Sequence, residues 1–314
     1  MSRICIVGAG MAGLSCAQAL VGAGRSVTIF DKGRGPGGRM SARRAEVDGR
    51  TVRFDHGAQY FTARDEGFRQ VVGDWEAGGV VSRWPAAGAD AWVGTPAMNA
   101  PIRAMAEGLG VQWGIRIGRV APEGDGWLVE PEDGDAARFE TLAVALPAEQ
   151  AAILLADATP KYAETARKSV SAPCWTVMAA FAERLPIEAD VMRPDAGPVG
   201  WAARDSAKPG RAPGERWVVQ AGPDWSRKQV ERSPDHILPV VLDAFFTMAG
   251  IPPVTPMHAA AHRWRYAMSD PPANAPEALH DEASSLAVAG DWLVAPRVEG
   301  AWLSGQAAAR AILG

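Results

Sequence analysis

Three glycines set the first chemistry this chain can do. Residues 4–13 read Ile-Cys-Ile-Val-Gly-Ala-Gly-Met-Ala-Gly, an apolar run suited to a buried strand that passes into Gly8-x-Gly10-x-x-Gly13. Gly8 makes the tight turn, Gly10 lets backbone approach a pyrophosphate, and Gly13 lets the following helix pack closely on the strand. At the helix start, Met11 and Ala12 offer N–H groups and a positive dipole end to phosphates. A second strand, Val27–Phe30, ends in Asp31, where a carboxylate accepts hydrogen bonds from both hydroxyls of an adenosine ribose. Strand, glycine turn, helix and acid in that order predict a dinucleotide site.

Three further groups select a flavin dinucleotide over a nicotinamide one. Gly37-Gly38-Arg39 is a second glycine turn, with an arginine able to clamp the pyrophosphate from the side opposite the helix. Gly290-Asp291 follows a late apolar strand and places a carboxylate where it can bond a ribityl chain, which NAD lacks. Glu299-Gly300-Ala301 opens the last helix, whose dipole suits the flavin N1/C2=O edge, where charge accumulates on reduction. These groups predict FAD. Outside the irregular glycine-rich run Gly33–Gly38, no second GxGxxG is present for an ordinary NAD(P)H-binding reductase domain.

Other candidates belong to a substrate pocket. Phe54-Asp-His-Gly-Ala-Gln-Tyr-Phe61 ends in polar and aromatic residues suited to a pocket wall, with Gln59 and Tyr60 as positioning residues. His262-Arg-Trp-Arg-Tyr266 mixes cations and aromatics, so Trp264 could stack on a planar ring and Arg265 could pair with a phosphate. Core packing is the alternative for Tyr60 and Trp264, as it is for Trp175 and Trp201. A structural hydrogen bond is the alternative for His56. Arg193, Arg204, Arg263 and Arg265 are the arginines expected at the mouth of a dinucleotide pocket; Lys208 and Lys228 receive no role. No metal site is expected, because Cys5, Cys16 and Cys174 have no ligand spacing and read as packed thiols of a reducing compartment.

The elements that must carry these groups fit 314 residues with 47% hydrophobic and 22% charged content, enough for two cores. A net charge of −4 gives no general attraction for nucleic acid or an anionic membrane, and no apolar run is long enough to span a bilayer. The reading is a cytoplasmic protein acting on a small molecule, of unassigned oligomeric state. Helices are expected over 64–78, 96–108, 148–168 and 233–249, and an antiparallel meander over 111–139. Strands are expected at Trp84–Val93, Leu142–Pro147, Trp175–Phe181, Val199–Ala203, Arg216–Ala221, His258–Trp264 and in the run from Leu286. Arg204–Glu215, rich in Pro and Gly, reads as a mobile surface loop.

The set Gly8–Gly13, Asp31, Gly37–Met40, Asp55–Tyr60, Gly290-Asp291 and Val298–Gly305 resembles the flavin-containing amine oxidase superfamily. Lys32, Gly37-Gly-Arg-Met40, Gly57-Ala-Gln-Tyr60 and Val298-Glu-Gly-Ala-Trp-Leu-Ser-Gly305 resemble its bacterial renalase type. The resemblance implies an α/β fold, α+β overall: a glutathione-reductase-type FAD-binding Rossmann domain with an inserted mixed-sheet substrate domain. Residues 1–80, 96–168 and 280–314 would form the first, and 81–95 with 169–279 the second. It implies non-covalent FAD, since the last cysteine is far upstream of the C-terminal motif. It adds Lys32, Gly38, Met40, Ala58, Gln59 and Tyr60 to the cofactor contacts. It also implies hydride removal from isomeric (2- and 6-) dihydronicotinamide dinucleotides to give NAD(P)+, with O2 reduced to hydrogen peroxide. That reaction restores an aromatic pyridinium and needs positioning more than a nucleophile or base. An amine oxidase, an isoprenoid desaturase, a non-catalytic flavoprotein and an ordinary NAD-dependent dehydrogenase remain as alternatives.

Overall fold

The computed structural model describes residues 3–314. The first strand, Arg3–Val7, lies inside a six-stranded sheet in the order Leu279–Asp281, Leu286–Val288, Thr141–Val144, Arg3–Val7, Ser26–Asp31, Gln112–Trp113. All neighbours are parallel except the edge strand Leu279–Asp281. Side chains alternate across a strand, so Ile4 and Ile6 enter one core while Cys5 and Val7 enter the other. Both faces are therefore covered, as the unbroken apolar run requires. Helices Met11–Gly22 and Val298–Leu313 pack on each other over one face. The meander Ile117–Glu123, Gly126–Pro131 and Ala137–Phe139 closes the other through Trp127 and Phe139.

A second, five-stranded sheet runs Val191–Met192, Val199–Arg204, Glu215–Ala221, Ser171–Phe181, His258–Ser269. It was expected to be mixed and is antiparallel throughout, since its neighbouring strands pair with reversed direction at every junction. In Ser171–Phe181 the alternation splits two functions. Trp175, Val177, Ala179 and Phe181 bury against helix Pro234–Ala249, while Met178 and Ala180 face Phe54. Ser233 caps that helix by accepting from the His236 N–H at 3.3 Å.

Phe54 comes from a hairpin, Ala42–Val47 with Arg50–Asp55, which the sequence reading missed. Its turn is Asp48-Gly49, both with positive φ (49° and 69°), the geometry a two-residue hairpin favours. The expected helix over 148–168 is two, Ala148–Leu154 and Pro160–Arg167, divided where Pro160 begins the second. Among the described residues, no helix is long and apolar enough to cross a membrane.

Candidate active site

A cleft of about 1720 Å³ runs between the glycine turns and the second sheet. Pockets for one small ligand hold roughly 300–1,000 Å³, so this one has room for a dinucleotide and a second molecule. Gly8, Gly10, Met11 and Ala12 form one end of its wall, joined by Asp31 and Lys32. Gly8 has φ +106°, and a Cβ there would lie 2.3 Å from the Ala145 carbonyl oxygen. A Cβ on Gly13 would sit 1.9 Å from the Gly8 oxygen; Gly13 lies behind the wall and packs helix on strand. At Gly10 a Cβ would meet nothing within 4 Å, so the missing side chain opens backbone to the cleft. Gly10 starts the helix without a side-chain cap, leaving first-turn N–H groups for an anion. This cradle fits the pyrophosphate of FAD.

Asp31 braces the cradle. Its Oδ2 accepts from the Ala9 N–H at 2.7 Å and its Oδ1 from the Gly33 N–H at 2.6 Å. Carboxylate oxygens hold further lone pairs, so ribose hydroxyls can still be accepted. Lys32 donates to Gln150 Oε1 at 2.8 Å. Gly38, Arg39 and Met40 form the next stretch of wall, and Gly290, Asp291 and Ala301 stand across from it. Arg39 pairs directly with Asp291 and also donates to the Ala267 carbonyl at 3.2 Å. One arginine thus ties the second glycine turn, the late acid and the second sheet together. The two residues read separately as pyrophosphate and ribityl partners are partners of each other here.

Ala58, Gln59, Tyr60, Trp264 and Arg265 also line the cleft. The Gln59 amide is committed inward: its Nε2 donates to the Asp55 and Gly57 carbonyls, and its Oε1 accepts from Lys208 Nζ at 3.2 Å. These bonds make Gln59 hold the wall's shape. Tyr60 stacks on Trp201 with centroids 5.4 Å apart, and the Arg193 guanidinium lies over both rings. Trp264 donates its Nε1 hydrogen to the His56 carbonyl at 2.8 Å. Arg265 is bidentate to Glu231 at 2.8 and 2.9 Å.

Beneath Gln59 lies a charge cluster that overturns the reading of 204–215 as a mobile surface loop. Asp55 accepts from the Met98 N–H at 2.9 Å, from Lys208 at 3.2 Å and from Arg211 at 2.5 Å. Lys208 also reaches Asp205 at 2.9 Å. Arg204 pairs with Glu215 at 3.2 Å and with Asp190, and lies over Trp217. The side chains of Arg204, Asp205 and Lys208 are almost wholly buried. Proline and glycine shaped the path of this segment, but its charges are anchored in the interior. Burial alone would raise the Asp55 carboxyl; Lys208, Arg211 and the Met98 N–H outweigh it and hold it below the usual range.

Glu299 and Gly300 do not reach the wall. Glu299 is buried and its Oε1 accepts from the Arg64 and Asp65 N–H groups at 2.6 and 2.7 Å. Gly300 gives close passage, since a Cβ would lie 2.3 Å from the Ala295 carbonyl oxygen. The last helix presents Val298 and Ala301 to the cleft instead. Of the arginines expected at the mouth, Arg204 is buried, Arg193 covers Tyr60 and Trp201, and Arg263 donates to the Val230 carbonyl. Only Arg265 among them lines the cleft. The sequence reading missed Arg43, Arg44 and Arg53 of the hairpin, which line it too; the Asp48-Gly49 pair was the signal that could have placed them.

His56 also lines the wall. Its Nδ1–H donates to the Ser41 carbonyl at 3.0 Å, and its ring meets His262 at 4.8 Å and Trp264 at 4.9 Å. Burial, the neighbouring His262 and the charge of Arg43 lower it to about 4, so the ring is neutral at physiological pH. Cys174 lines the cleft as a neutral thiol, pushed up to about 11 by burial.

Two family models match the chain: an NAD(P)-binding Rossmann-like domain over residues 6–75 and a flavin containing amine oxidoreductase over residues 81–313. A 47-residue stretch, 15% of the chain, is 51% identical to L-amino-acid oxidase of Pseudechis australis. A 62-residue stretch, 20% of the chain, is 47% identical to hydroxyneurosporene desaturase of Rubrivivax gelatinosus. These matches span 9% and 11% of the two relatives' own lengths. Among solved structures, a protein provisionally assigned as a protoporphyrinogen oxidase from Exiguobacterium sp. 255-15 superposes with TM-score 0.78 at 12% identity, covering 99% of this chain and 98% of that one. Cyclohexylamine oxidase from Brevibacterium oxydans IH-35A superposes with TM-score 0.66 at 13% identity, again covering 99% and 98%. At such identities the superpositions establish a shared fold. With the model spanning residues 81–313, the chain belongs to the flavin containing amine oxidoreductase family.

Proposed function

We propose that the protein oxidises isomeric (2- and 6-) dihydronicotinamide dinucleotides to NAD(P)+, with O2 reduced to hydrogen peroxide. The observation that carries this reading is the charge of the cleft. Eleven lysine and arginine side chains line it, against three carboxylates, Asp31, Glu132 and Asp291. The whole chain nevertheless carries a net charge of −4. A flavin dinucleotide has a single pyrophosphate, so cationic side chains remain for a second anion. An amine cation would enter against that field, and the Tyr60–Trp201 pair already carries Arg193 over its rings.

FAD, when bound, supplies the hydride acceptor and passes the electron pair to O2. The chain's own residues position and exclude. The buried amide of Gln59 fixes the turn from Gly57 to Tyr60, and Trp264 is held by its bond to the His56 carbonyl. His56 stays neutral, so it adds no charge beside a ring that becomes cationic. Loss of hydride makes a pyridinium directly, so no proton has to be taken by a protein base.

The test is anaerobic mixing of the yellow protein with each dinucleotide isomer. The flavin absorbance should bleach within seconds, and admission of air should restore it with one hydrogen peroxide per turnover. Bleaching by putrescine or an amino acid, with none by the dihydronicotinamides, would replace this reading with the amine oxidase one.

A further inference from the structure

We propose that Arg44 and Arg53 form a second anion dock, distinct from the glycine cradle and flanked by Arg43 on the hairpin's other face, that takes the pyrophosphate of the dinucleotide substrate. The proposal rests on the substrate class inferred above and names the residues that would select it. The hairpin that carries these arginines has two unlike faces. Ala45, Val47, Val52 and Phe54 face the second sheet, packed around Met178, Ala180 and Val218. On the opposite face Arg44 stands directly across from Arg53.

Like charges in that position repel, and a hairpin face built only for stability would place an acid opposite one of them. None is there: among the described residues, no carboxylate lies within 4.0 Å of Arg43, Arg44 or Arg53. Glu46 shares the Arg44 face but accepts from the Thr51 hydroxyl at 2.6 Å. Arg43 lies across from Phe54 on the packed face, and its charge reaches the His56–His262 pair. All three arginines line the cleft.

The glycine cradle at Gly10 and the first helix already suits the cofactor's pyrophosphate. The hairpin supplies guanidinium groups elsewhere on the same wall, next to Ser41 and His56 where the chain enters and leaves it. Arginine is the side chain suited to phosphate oxygens, since its donors form a rigid fork. A dinucleotide can therefore lay its reacting ring by Trp264 and its phosphates against the hairpin.

The test uses the FAD-loaded protein and an R44Q/R53Q variant. Its probes are ADP-ribose and inorganic pyrophosphate, neither of which can reduce the flavin, read by perturbation of flavin absorbance or fluorescence. Expected are full FAD content in the variant and at least a tenfold rise in the half-saturating ADP-ribose concentration. The same rise is expected for the dihydronicotinamide dinucleotide in anaerobic reduction, with less than a threefold change for the corresponding mononucleotide. An R44K/R53K variant should recover part of the affinity through charge alone. Because both positions are exposed or half-buried, the variant should fold; single R44Q and R53Q variants provide the same readout if it does not. Unchanged ADP-ribose affinity in a yellow variant overturns the dock. Loss of FAD also overturns it, by giving these arginines to the cofactor. If ADP-ribose binds through them while the dihydronicotinamides leave the flavin oxidised, the dock stands and the proposed reaction falls.

Discussion

Lys208, Arg211 and Arg204 are sealed inside the protein and matched by Asp55, Asp205, Glu215 and Asp190. Arg43, Arg44 and Arg53 come from the hairpin that ends in Asp55, yet they stand on the cleft wall with no acid beside them. The difference follows from solvation. An ion removed from water loses several kcal/mol unless an opposite charge and hydrogen bonds replace the water, so interior cations come paired. A cation on an open wall keeps its water and needs no partner, which leaves it free for a ligand. The buried set fixes the shape of the wall through Gln59. The open set gives the wall its affinity.

The comparison breaks most sharply at Asp55. Asp55→Asn removes the shared partner of Lys208 and Arg211 and should cost about 3–5 kcal/mol in a denaturant-unfolding measurement. A loss under 1 kcal/mol would show that water enters the cluster.

The next effect is one of pH. His56 titrates near about 4 in the folded protein against an ordinary value near 6.5. Between those limits the unfolded chain binds the extra proton, so stability falls as pH drops from about 6.5 to about 4, by up to about 3 kcal/mol. Burial and Arg43 lower His262 as well, which adds to the same slope. Asp55, held below its ordinary value, loses its contribution only at more acid pH. Unfolding midpoints measured against pH should flatten across this window in His56→Gln; an unchanged slope would assign the effect elsewhere.

At the cofactor cradle, where Arg39 is paired with Asp291, Arg39→Ala should yield mostly apoprotein. The loss of its charge-assisted bonds is worth roughly 1.5–3 kcal/mol, or tenfold or more in flavin affinity. Full flavin occupancy in that variant would remove Arg39 from the cofactor site. The smallest effect sharpens the contrast: R44Q/R53Q should change unfolding free energy by no more than about 0.5 kcal/mol, and relief of repulsion could raise it. A large loss there would make these arginines structural.

Most of the cofactor end was legible in the chain because its requirements are local. A strand, a glycine turn and a helix follow one another within residues 3–22, and the same few residues both build and line the cradle. Reading Glu299 was less secure: its place at the helix start was right, but its side chain turned inward to cap the Arg64 and Asp65 N–H groups from a distant segment. The 204–215 segment misled for the opposite reason. Its proline and glycine content marks a turn-rich path, while burial of its charges depends on Asp55 some 150 positions away in the chain.

By itself, the sequence determined the alternating strands, the order of elements, the glycine turns and hence the dinucleotide site, since each depends on backbone sterics and hydrophobic period within a short window. Only the tertiary structure decided which charges were cancelled. Pairing depends on distances between segments far apart in the chain, and those distances separate the arginines that support the wall from those that face what enters it.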